Sequence, residues 1–86
     1  MPEEEVGRVS DYFSKIGVAA IEITSSFLKR GDVIRIRGAK TDFMQSIGSM
    51  EINRQAIDLA EKGSSVGIKV NEEVRPNDRV LKVTTP

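Results

Sequence analysis

Arg35 and Arg37 are the side chains in this sequence best placed to do chemistry. They alternate with Ile34 and Ile36 in Val33-Ile34-Arg35-Ile36-Arg37, the period-2 pattern of a half-buried strand. That spacing puts both guanidinium groups on one strand face, about 7 Å apart. Lys29 and Arg30 precede the strand and Lys40 follows it, so five cations can gather along one rim. Such a rim suits phosphate oxygens, contacts that position RNA without reading its sequence. The plainer reading is a solvated strand face paired across the sheet with Glu22 or Glu51. Tyr12 lies next to Phe13, and a strand cannot bury both on one face; Tyr12 is expected outward, where a ring stacks a base or covers a seam. The candidate RNA-binding set on this reading, which rests mostly on a resemblance given below, is Lys29, Arg30, Arg35, Arg37, Lys40 and Tyr12.

Catalysis finds no foothold. The chain has no Cys and no His, which removes thiolate nucleophiles, Ser-His and Cys-His pairs and nearly every zinc site. Glu72 and Glu73 are adjacent and so point to opposite sides of an extended chain, poor geometry for paired acid-base work. Asp32, Asp42 and Asp78 sit in turn contexts, where carboxylates bond to nearby backbone amides. Arg30-Gly31-Asp32 is read as turn chemistry rather than as an adhesion tripeptide, and Met44 and Met50 as filler. No Gly-x-x-x-x-Gly-Lys-(Ser/Thr) loop is present, so nucleotide hydrolysis is not expected. No enzyme, cofactor, metal site or catalytic residue is expected.

The elements that must position these residues belong to one small domain. Eighty-six residues enclose a single modest core, and 38% hydrophobic against 30% charged residues is too apolar for a disordered chain. With three Phe and one Tyr, that core must rest on Val, Ile, Leu and Met. Net charge is zero, yet residues 14–54 carry seven cations against four anions, while Glu3, Glu4, Glu5 and Asp11 face only Arg8 in residues 1–13. A wholly basic nucleic-acid binder is excluded and a local basic patch is not. No run approaches the roughly 20 apolar residues of a membrane helix, and Met-Pro-Glu-Glu-Glu is unlike a basic signal-peptide start. A cytoplasmic protein without membrane contact is the expectation.

Residues 1–5 are expected as a flexible acidic N-terminus and 6–84 as the folded domain. Strands are expected at Val6–Phe13 and Val18–Ile23, joined by a Ser14–Gly17 loop with Gly17 at positive φ, and at Val33–Arg37 after a turn through Gly31. Phe27 and Leu28 are expected under the rim, ahead of that turn. Thr41–Ile52 reads as one long strand whose buried parity changes, calling for a β-bulge near Gly48-Ser49. Ala56, Ile57, Leu59 and Ala60, with Gly63 as a stop, give the one helical signal, over 53–62. Val66–Val70 and Val80–Thr84 complete six strands. The expected fold is all-β: a small six-stranded closed β-barrel with one short helical turn.

Leu28-Lys29-Arg30-Gly31-Asp32-Val33-Ile34 resembles the Lys-x-Gly-Asp strand start in domain 2 of elongation factor Tu-type translation GTPases. Ala60-Glu61-Lys62-Gly63-Ser64-Ser65-Val66-Gly67 resembles a second glycine-centred element of that domain, with Ser64-Ser65 in place of the usual acidic residue. Val6-Gly7-Arg8-Val9-Ser10-Asp11-Tyr12-Phe13 and Ile16-Gly17-Val18-Ala19 look closer to stand-alone archaeal proteins described as elongation-factor-like. They are also similar to the C-terminal barrel of collagenase-like peptidase-family proteins that act on tRNA. The resemblance runs over roughly Val6 to Val83. It implies a translation-factor-type barrel in protein biosynthesis, non-catalytic, binding tRNA, the ribosome or another ribonucleoprotein. The alternative is an adaptor barrel for a protein partner such as a tRNA-modifying or peptidase-like enzyme. RNA binding needs the Arg35/Arg37 face free, whereas an adaptor presents an apolar patch with few charges at its centre.

Overall fold

The computed structural model describes residues 3–84. The first two strands, β1 (Glu3–Phe13) and β2 (Val18–Ile23), form a hairpin closed by the expected Ser14–Gly17 loop, with Gly17 at φ 66°. Glu3–Glu5, expected as a flexible lead-in, are the start of β1 and pair with β10 (Arg79–Val83). Residues 1 and 2 of that lead-in lie outside the described residues.

Two irregularities in β1 decide which side chains go inward. Register shifts between Glu5 and Gly7 against β10, and between Val9 and Asp11 against β2. An extra residue in one strand moves everything after it to the other face. Val6 and Val9 are therefore both buried, Tyr12 packs against the core, and Phe13 is left 46% exposed. The expectation for Tyr12 and Phe13 is reversed by the bulge at Ser10.

The third and fourth strands are β3 (Phe27–Lys29) and β4 (Val33–Arg37), separated by the turn in which Gly31 takes φ 97°. The expected long strand is two: β5 (Asp42–Ser46), which pairs with β4, and β6 (Met50–Ile52), which pairs elsewhere. The parity change is real, since Phe43, Gln45 and Ile47 are buried before it and Met50 after it. A break at 47–49 rather than a bulge accommodates it.

No helix occurs among the described residues. Where a helical turn was expected, β6 forms a hairpin with β7 (Gln55–Ile57) through Asn53 and Arg54, and β8 (Leu59–Glu61) pairs with β3. Asn53 and Arg54 have φ 52° and 66°, the double positive φ of a two-residue hairpin turn whose twist matches the strands. Gly63, expected as a helix stop, instead turns the chain at φ 92° into β9 (Ser65–Lys69).

The main sheet runs β5-β4-β10-β1-β2-β9-β6-β7, beside the two-stranded β3-β8 sheet. Its inward residues make one aliphatic core of Val6, Val9, Ile21, Ile34, Ile36, Val66, Ile68 and Val80 with Leu28, joined by the ring of Phe43 and, at its edge, Tyr12. The Gln45 side chain spans the gap from β5 to the end of β9. Its Nε2 donates to the Lys69 carbonyl at 2.9 Å, and its Oε1 accepts the Asn71 N–H at 2.7 Å. A buried amide here substitutes for strand-to-strand backbone bonds. The half-buried Lys82 holds its ammonium 3.7 Å from the Phe27 ring centroid and 3.6 Å from Asp32 Oδ2.

Candidate functional site

Arg35 and Arg37 do leave β4 on the same face, between the buried Ile34 and Ile36. Arg35 is not free. Its Nε and Nη2 donate to Asp42 Oδ1 and Oδ2 at 2.7 and 2.8 Å, and its Nη1 donates to Glu3 Oε2 at 3.0 Å. The pairing with Glu22 or Glu51 anticipated from sequence is replaced by Asp42, the strand neighbour of Arg37, and by Glu3 from β1. The bidentate fork and second carboxylate push the guanidinium pKa up, and the Arg35 hydrogen bond holds the Asp42 carboxyl below its usual range. Asp32 and Asp78 do accept backbone N–H groups, from Lys29 and Arg75, whereas Asp42 serves the ion pair.

The other expected contacts scatter. Lys29 and Arg30 lie at the start of the β4 turn, and Arg30 pairs with Asp58 at 3.3 Å. Arg37 and Lys40 lie at the far end of β4, exposed and without an ion pair among the described residues. Tyr12 packs inward at the end of β1. The six residues do not form one surface. Two arginines that sequence reasoning missed do join Arg37: Arg79 stands directly opposite it on β10, and Arg8 opposite Arg79 on β1. The signal was out of reach, because register across three strands brings them together.

An apolar feature was also missed. Phe13 and Ile16, 46% and 62% exposed, border a depression of about 370 Å³ with Val18, Ala20, Val66 and Gly67, beside the Asn53-Arg54 turn. Among the described residues, the charges on its lining are Glu51 and Arg54. Phe27 and Leu59, 39% and 47% exposed, edge another depression near β3 and β8.

No protein-family model matches the chain. It is 43% identical over 77 residues to an uncharacterized protease of Methanocaldococcus jannaschii, a match covering 88% of this chain and 19% of that protein. It is 38% identical over 78 residues to a collagenase of Porphyromonas gingivalis, covering 90% of this chain and 22% of the collagenase. The chain thus spans about a fifth of the length of these curated relatives. Among solved structures, the C-terminal domain of a candidate U32 peptidase of Geobacillus thermoleovorans superposes with TM-score 0.87 at 23% identity, covering 94% of this chain and 93% of that one. The fold is that of this domain.

These findings correct the elongation-factor resemblance. The matching proteins are a protease, a collagenase and a peptidase domain, and the assignment to translation, with its tRNA and ribosome partners, falls with it. The physical reason lies in the motifs. Lys-Arg-Gly-Asp and Gly-Ser-Ser-Val-Gly encode positive-φ turns into strands, which small β folds of unrelated function share. The likeness to collagenase-like peptidase-family proteins is the part that the comparisons support.

Proposed function

We propose that this chain is a non-catalytic docking module of U32-type peptidase proteins. It is read as a closed barrel of β1, β2, β4, β5, β9 and β10, with Gln45 completing the circuit, that seats its apolar depression on a peptidase-like body. The observation that carries this reading is the exposed pair Phe13 and Ile16 on a lining with two charges. Large apolar side chains grouped on a surface mark interaction sites, and an interface core is depleted in charge. Similarity to about a fifth of two larger proteins supports a partner of that kind, supplied either as a separate chain or in the same one.

The test mixes the purified 86-residue chain with the purified peptidase-like part of a U32-type protein that lacks this domain, and reads the complex by native mass spectrometry. A one-to-one complex is expected, and Phe13→Asp with Ile16→Asp should weaken it at least about tenfold. Because both side chains are exposed, folding stability should move by no more than about 0.5 kcal/mol each. Absence of a complex with the unaltered chain overturns the reading.

A further inference from the structure

Arg37, Arg79 and Arg8 are direct neighbours across β4, β10 and β1. Antiparallel partners stand about 5 Å apart at their Cα atoms, so three full positive charges share a row about 10 Å long. All three are exposed, alternating with buried Ile36, Val80 and Val9. Like charges directly opposite one another disfavour the sheet. Relief inside the molecule is slight. Arg79 reaches Glu5 only at 3.9 Å, and Arg8 and Arg37 have no ion pair among the described residues. The acids at the two ends of the row are Asp42, opposite Arg37 but already held by Arg35, and Glu22, opposite Arg8.

The row borders a concave surface. Arg37 and Arg79 line a depression of about 580 Å³ together with Gly38, Ala39, Asn77 and Glu3, whose carboxylate is drawn to Arg35. Its walls are fixed. The buried Asp78 carboxylate accepts the Arg75 N–H at 2.9 Å, and a Cβ at Gly38 would fall on that carboxylate, so the 38–41 and 75–78 loops are packed together. Val9 N–H donates to the Asp78 carbonyl and Asn77 N–H to the Val9 carbonyl, each at 2.8 Å.

We propose that Arg37 and Arg79, with Arg8 beside them, bind a multiply charged oxyanion of the phosphoryl class in this depression. Planar guanidinium forks match phosphoryl oxygens two at a time. A dianionic tetrahedral group can accept from both forks and cancels both charges, whereas a single carboxylate leaves one unrelieved. This site is separate from the Phe13/Ile16 surface and stands whether or not that surface docks a peptidase.

The test titrates the ¹⁵N-labelled chain at low ionic strength with inorganic diphosphate, adenosine diphosphate and acetate, following the arginine Nε–H resonances. Saturable shifts should be confined to Arg8, Arg37, Arg79 and the amides of 38–39 and 77. Diphosphate should bind at least about tenfold more tightly than acetate, and Arg79→Gln should lose about tenfold, while Lys15→Gln changes nothing. Equal affinity for the two diphosphates assigns recognition to the phosphoryl groups alone; tighter binding of adenosine diphosphate assigns part of the depression to the nucleoside. Unsaturated shifts spread equally over Arg54, Lys15 and Lys62, or undiminished affinity in Arg79→Gln, would overturn the site.

Discussion

Gln45 does the work of a missing stretch of ladder. Replacing it with Leu keeps the volume but leaves the Lys69 carbonyl and the Asn71 N–H without their partner. A buried group stripped of its hydrogen bond costs on the order of 1–3 kcal/mol, so urea unfolding of Gln45→Leu should show a loss in that range; no loss would mean that water replaces the amide. Asp42 makes a prediction of pH. Its folded carboxyl titrates below its usual range because Arg35 hydrogen-bonds the charged form. The stabilisation is therefore fully present above the ordinary carboxylate pKa and disappears as pH falls through the lower folded value. Asp42→Asn should flatten the acid limb of the stability curve below about pH 4, and an unchanged limb would contradict that. Side chains at this scale were only partly legible. That Arg35 and Arg37 share a face follows from alternation, but which carboxylates answer them depends on chain segments far away in sequence.

Strands bounded by obligatory turns could be read directly. Val18–Ile23 and Val33–Arg37 are found where the alternation places them, because Gly17 and Gly31 start them with positive φ. Residues 53–62 could not be read so. Ala56, Ile57, Leu59 and Ala60 have helical spacing, but they divide between two three-residue strands in different sheets, too short to display a period of two. Ser10 misled in another way: one inserted residue exchanges Tyr12 and Phe13 between core and surface. The Asn53-Arg54 turn carries its own prediction. Arg54 at φ 66° holds a backbone conformation that favours Gly, the residue preferred after Asn in this turn type. Arg54→Gly should stabilise the chain by about 0.5–1 kcal/mol, read as a higher midpoint in thermal or denaturant unfolding. At Gly31, by contrast, φ 97° makes Gly31→Val cost about 1–3 kcal/mol.

For the whole molecule, the aliphatic core leaves two of the three Phe side chains outside, Phe13 and Phe27. The sequence allowed this, since Val, Ile and Leu suffice to fill a core of this size, but it did not say which aromatic would be excluded. That outcome adds an apolar surface to the basic one that the sequence suggested. Arg35 is satisfied within the chain, whereas Phe13 and Ile16 stand exposed beside an apolar depression. The proposed docking role rests on what covers Phe13 and Ile16. The most direct measurement is hydrogen–deuterium exchange of the 86-residue chain, alone and with the peptidase-like body. The account predicts slowed exchange at the Ser14–Gly17 loop and the Asn53-Arg54 turn, with β5 around the exposed Met44 unchanged. Uniform exchange in both samples, or protection centred on Met44 instead, would contradict docking through this surface.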